Sequence, residues 1–132
     1  MVRRETGHML CDSGPTGLTH GLSHLYLLRA PPDIDESYVR ATHMDYENLS
    51  LYISPDTAMC AKLSCGGVIE TALAVMDPLS GITNAFALVR PPGHHAEPEQ
   101  GMGFCFFNNI AVAARVVQER ASRRVKTVII DW

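Results

Sequence analysis

Two adjacent histidines, His94 and His95, stand in the stretch Arg90-Pro-Pro-Gly-His-His-Ala-Glu97, where prolines restrict the backbone and Gly93 frees it. Histidine titrates near neutrality, which makes it the first candidate for moving protons. Two imidazoles side by side disfavour charge on each other, so one remains a neutral base while its neighbour is more cationic. The pair reads as an acid and base dyad, against the plainer alternative of two unrelated histidines on a surface loop. On residue type alone Asp131 is a strand-end or capping aspartate. Cys60 and Cys65 have a C-x4-C spacing that does not put both on one helix face, so they and Cys105 read as core residues. His20 and His24 are four apart, but Gly21 lies between them and no third ligand is near, so they do not make a metal site.

The elements around the dyad set where it can act. Asn84 to Arg90 is a nearly continuous apolar run of the length of a buried strand, closed by Arg90-Pro-Pro-Gly93. A helix is expected over about Phe107 to Ala121, where Ile110, Ala113, Ala114, Val117 and Ala121 recur at helical spacing. Thr127 to Trp132 reads as a second buried strand. Strand, long loop, helix, strand is the order of a right-handed parallel crossover and predicts an α/β sheet. In such sheets the functional groups lie beyond the carboxyl ends of strands, which here are loop 91–103 and the Asp131 region. Earlier in the chain, a short helix through Val39 and Met44 leads to Tyr52-Ile53. A longer helix from about Pro55 to Met76 starts at Ser54-Pro55-Asp56, with Ser54 as its cap. The Gly66-Gly67 pair weakens that helix by about 1 kcal/mol per glycine, so close backbone approach is expected there. Residues 1–37 show no sustained period and are expected to be disordered.

The composition narrows the class. Of 132 residues, 46% are hydrophobic and 19% charged, enough apolar material for one core. Eleven Lys and Arg against fourteen Asp and Glu leave a net charge of -3, with no basic surplus to neutralise a phosphate backbone. Nucleic acid is therefore not an expected partner. The uninterrupted apolar runs are far shorter than the roughly 18 to 20 residues of a membrane helix, and no signal-peptide core is present, so neither membrane nor secretion is expected. The four cysteines show no disulfide framework and read as reduced.

Three motifs in order, Arg90-Pro-Pro-Gly-His-His-Ala-Glu97, Gly103-Phe-Cys-Phe-Phe-Asn-Asn109 and Val128-Ile-Ile-Asp-Trp132, resemble the zinc-dependent histone deacetylases. The likeness is closest to the class II, fungal-type branch. Ser50-Leu-Tyr-Ile-Ser54 and Ala61-Lys-Leu-Ser-Cys-Gly-Gly-Val-Ile-Glu70 extend it, so residues 38–132 read as the N-terminal part of such a domain and residues 1–37 match it poorly.

The resemblance implies part of the arginase-deacetylase fold, a parallel sheet with helices on both faces. It implies that His94 and His95 are the tandem dyad assisting a zinc-bound water against the acetyl-lysine amide, with zinc polarising the carbonyl and lowering the water pKa. The residues leave open which imidazole takes the proton; His95 is read as the acid-base group and His94 as its electrostatic partner. By the same resemblance Asp131 orients the first histidine and contributes to a monovalent cation site. Phe104 walls the acetyl-lysine tunnel, Gly103 offers its backbone to the ligand, and Ser50 is a rim residue that accepts from the substrate amide.

The sequence also departs from the family pattern. The Asp-Val-His-His-Gly-Asn-Gly segment, which supplies zinc ligands after Asp-Trp, is not among these residues, nor is the early His-Pro-Glu segment. A strand that ends with the polypeptide reads as a cut through a larger domain. The expectation is thus a piece of a lysine deacetylase, inactive by itself. Acetylated histone or another acetyl-lysine protein would be its substrate, corepressors its partners, and the nucleus, with the cytoplasm second, its location. A noncatalytic interaction protein and an acetyl-polyamine amidohydrolase are the alternatives. A continuing Asp-x-His frame after Trp132 would favour the enzyme, and a stop there the noncatalytic reading.

Overall fold

The computed structural model describes residues 36–98, 100–121 and 124–132. Cys11, His20, His24 and all but the last two residues of the 1–37 segment lie outside the described residues. Three helices follow in order: α1 (Glu36–Glu47), α2 (Thr57–Met76) and α3 (Asn109–Arg120). The short helix expected through Val39 and Met44 is α1.

The other two helices are shorter at their N-termini than the sequence periodicity predicts: a turn closed between Ser54 and Thr57 precedes α2, which has no side-chain cap, and a side-chain cap precedes α3. Ser54 does not cap α2 by accepting from its amides. Instead the Ser54 backbone N–H donates to the Thr57 hydroxyl at 2.7 Å, Thr57 N–H returns to the Ser54 carbonyl at 3.1 Å, and the helix starts at Thr57. Helix α3 begins at Asn109 and not at Phe107, since the Asn108 side chain accepts from the Ala111 N–H at 3.1 Å and marks the boundary. Phe106 and Phe107 go into the core ahead of it.

Helices α2 and α3 pack on each other, and around them Leu51, Ala61, Cys65, Ile69, Phe106, Phe107 and Ala113 form the buried cluster, with Tyr46 of α1 at its edge. Helix α2, with 20 residues, has the length and composition to cross a membrane. Counting uninterrupted apolar runs overlooked it, because Lys62, Ser64 and the glycines break the run without making the helix polar. Its inner face is occupied by the core, through Ala61, Cys65 and Ile69.

The segments expected as buried strands differ from that reading. Among the described residues there is no strand, and the one β feature is an isolated bridge between Met102 and Cys105. Segment 84–90 has one inner face, where Val89 sits so close to α2 that a Cβ on Gly67 would lie 3.2 Å from its Cγ1. The close approach expected at the glycine pair is therefore present. The opposite face is uncovered: Phe86 is 87% and Leu88 91% exposed, as are Val128 and Ile130 for the most part. A fully buried strand needs a layer on both sides, and among the described residues a layer lies on one.

Candidate active site

The loop between segment 84–90 and α3 carries both histidines on a turn closed by the Ala96 N–H donating to the Gly93 carbonyl at 3.1 Å. The two rings lie 4.0 Å apart between centroids and are tilted by 41°. Asp131, 37 residues further on, sets its two carboxylate oxygens 3.0 and 3.1 Å from Nδ1 of His94. A carboxylate only accepts, so the Nδ1 nitrogen is the one that carries the proton and donates to it. The contact is half exposed, at 49% and 61% for the two side chains, so its value lies in orientation more than in stability.

Two hydrogen bonds to the Pro91 carbonyl hold this loop on the helices, and a third joins their donors. The Ser64 hydroxyl of α2 donates to the Pro91 carbonyl at 2.6 Å. Asn109 of α3 donates from its side-chain nitrogen to Ser64 Oγ at 3.0 Å and to the same Pro91 carbonyl at 3.3 Å. Ser64 and Asn109 are 3% and 4% exposed, so the network satisfies polar groups that would otherwise be costly to bury. Gly93 then passes so near the start of α3 that a Cβ would lie 2.5 Å from the Asn109 nitrogen and 2.7 Å from the Phe107 oxygen. Only glycine fits against fixed backbone atoms at that range. Asn108 reaches the far side of the dyad, donating to the Ala96 carbonyl at 3.3 Å.

A second loop closes on His95. Gly103 has φ +54°, and its missing side chain leaves room for the His95 ring, since a Cβ would stand 2.7 Å from Cδ2. Gly103 N–H donates to the Leu49 carbonyl at 3.0 Å and Phe104 N–H to the Ser50 carbonyl at 2.9 Å, which brings Ser50 beside Phe104. Ser50 and Phe104 both take positive φ, 53° and 65°, which is uncommon without glycine and costs strain at two facing positions. The Phe104 ring is 52% exposed and stacks on Tyr52 at 5.8 Å and 13°. Cys105 is fully buried below, its thiol donating to the Gly103 carbonyl at 3.3 Å. Burial pushes that thiol up, against the backbone amides of His95 and Ala96, which favour its anion. It is a core residue, as is Cys65, whereas Cys60 is exposed on α2 and the core reading of it does not hold.

The structure thus brings His94, His95, Asp131 and Gly103 into direct contact, and Phe104 and Ser50 into one adjoining loop pair. A cavity of about 890 Å³ lies behind the dyad between the helices and the two extended segments; His94 and Asp131 are in its wall with Ala72, Ala87, Ala113 and Ile129. Ser64, Asn108, Asn109 and Tyr52 were not singled out by sequence reasoning. The signal for the asparagines was available: two in succession before a helical period is a capping pattern. Ser64 inside an apolar helix gives no such signal. Among the described residues no group of three His, Cys, Asp or Glu is placed to hold a metal ion. They do not fit a zinc centre by themselves.

A histone deacetylase domain matches residues 12–132, and the chain belongs to that family of amide hydrolases. Within it the likeness is to the class II, fungal-type branch. Histone deacetylase clr3 of Schizosaccharomyces pombe is 48% identical over 99 residues, which cover 70% of this chain and 14% of that protein. Histone deacetylase HDA1 of Candida albicans is 39% identical over 114 residues, 86% of this chain and 13% of the relative. Polyamine deacetylase HDAC10 of Rattus norvegicus is 34% identical over 116 residues, 88% and 19%. The chain therefore spans only a small part of the length of these relatives. The family implies the arginase-deacetylase α/β fold, of which the described residues show the helices and the extended segments without a ladder. It is zinc-dependent in general.

Proposed function

We propose that this chain supplies the proton-transfer dyad and one wall of the substrate channel of a lysine deacetylase that hydrolyses the acetyl-lysine amide. The observation that carries the reading is the His94–His95 pair with Asp131 on Nδ1 of the first ring. In this reading Asp131 holds His94 in one tautomer and orientation, so that His94 stabilises negative charge on the substrate oxygen. His95, packed against Gly103, takes the proton of the attacking water and returns it to the leaving amine. Phe104 lies along the methylene stem of the lysine, the Gly103 backbone meets the ligand, and Ser50 accepts from the substrate amide at the rim. The metal chemistry of the family, polarising the carbonyl, rests on ligands other than the described residues. Asp131 would also contribute to a monovalent cation site.

The fungal relatives named as histone deacetylases support acetylated histone as substrate. The reading adds other acetyl-lysine proteins as substrates, a link to chromatin and transcriptional repression with corepressor partners, and a nuclear location that extends to the cytoplasm. No direct contact with nucleic acid or membrane belongs to this reading. Polyamine deacetylation is the second reading, carried by the rat relative's match over most of the chain. The test is turnover by the zinc-loaded protein that contains this chain, offered an acetylated histone peptide and an N-acetyl polyamine side by side. Preference for the peptide supports the first reading, preference for the polyamine the second, and inertness to both contradicts each.

A further inference from the structure

Asn108 makes two hydrogen bonds in opposite directions. Its side-chain oxygen accepts from the Ala111 N–H at 3.1 Å and caps α3, while its side-chain nitrogen donates to the Ala96 carbonyl at 3.3 Å. Ala96 follows His95 directly, is 5% exposed, and closes the dyad turn through its N–H to the Gly93 carbonyl at 3.1 Å. On the other side of the dyad the neighbouring Asn109 holds Pro91. The start of α3 is tied to the core through Asn109 and Ala113, which are buried. The cap oxygen and the loop donor belong to one amide plane, so the direction of α3 fixes where the Ala96 carbonyl is held.

We infer that Asn108 is a positioning residue for the dyad: one amide group registers the His94–His95 turn on the N-terminus of α3, apart from its duty as a helix cap. The inference rests on the reading of the dyad as catalytic. It also separates the two uses of the side chain, because a serine at this position still caps but is too short and lacks the N–H to reach Ala96.

The test is Asn108→Ser in the full 132-residue chain, followed by amide hydrogen exchange resolved by residue. The expected result is a loss of protection at Ala96 N–H of roughly 3- to 10-fold, the worth of one ordinary hydrogen bond, with the Val112 amide of α3 unchanged and His95 ring resonances displaced. Equal loss at Ala96 and Val112 would show a cap and nothing more, and would overturn the inference. So would unchanged protection at both. Asn108→Asp, which also caps, provides a second variant should the serine fail to fold, read through exchange alone because its charge would itself move the histidines. In the zinc-loaded protein, Asn108→Ser should lower kcat by roughly 10-fold with KM nearly constant, as a misplaced reacting group does. Loosened exchange with full turnover would overturn the positioning role, whereas full turnover in His94→Ala and His95→Ala would instead refute the dyad reading beneath it.

Discussion

Replacing Gly103 by alanine tests the packing of the dyad with one methyl group. Two costs arise at the same position. The backbone there has φ +54°, where an L side chain costs about 1–2 kcal/mol. The new Cβ would also stand 2.7 Å from Cδ2, 3.1 Å from Cγ and 3.2 Å from Cβ of His95. Ordinary contact begins near 3.4 Å, so the ring must retreat by about 0.7 Å or the loop must open. His95 is exposed and its ring can give way, which keeps the total stability loss at about 1–3 kcal/mol and moves the damage into geometry. A reacting group displaced by most of an ångström loses turnover by roughly 10- to 100-fold. Denaturant unfolding of the chain reads the first effect, and kcat/KM of the zinc-loaded protein, with His95 resonances alongside, reads the second. A Gly103→Ala protein with unchanged His95 resonances and full turnover would refute the claim that this glycine makes room for the ring.

Other expectations follow from the same contacts. Gly93→Ala meets backbone atoms that cannot step aside, so it should destabilise by about 3 kcal/mol or more; a loss under 1 kcal/mol in denaturant unfolding would contradict the close approach to α3. The Tyr46 phenol is pushed well above its usual 10, first by burial and then by its hydrogen bond with Tyr38. A raised value means that the fold favours the neutral phenol, so this stabilisation is complete below pH 10 and is lost as pH rises beyond it. Tyr46→Phe should therefore flatten the alkaline limb of a stability profile, and an unaltered limb would exclude Tyr46 as its source. The 132-residue chain, having no triad of metal-binding side chains among its described residues, should hydrolyse acetyl-lysine peptide no faster than a zinc-free control; turnover that titrates with chain and zinc would contradict this.

The chemistry was more legible in the sequence than the packing that supports it. His94 and His95 stand out because adjacent histidines between Pro-Gly and a glycine-rich segment have few structural uses. Asp131 was ambiguous by itself, since only folding brings it 3.0 Å from a residue 37 positions away. Periodicity located all three helices but not their first residues, which are decided by single side chains: Thr57 for α2 and Asn108 for α3. The apolar runs at 84–90 and 127–132 promised burial on both faces. Apolar content reports a capacity to be buried, and among the described residues no layer lies above Phe86 and Leu88. Ser64 was the least legible. A hydroxyl in an apolar helix looks like any small residue until the Pro91 carbonyl is found 2.6 Å away.

The central claim is that His94 and His95 move protons and charge and do not bind metal. It is tested most directly by metal content measured beside turnover for His94→Ala and His95→Ala in the zinc-loaded protein that carries this chain. The account predicts full zinc occupancy in both variants with turnover lowered by roughly 100-fold or more, and a loss in the same direction for Asp131→Asn through His94. Zinc lost from either histidine variant while the unaltered protein keeps it, or turnover preserved in both, would contradict it.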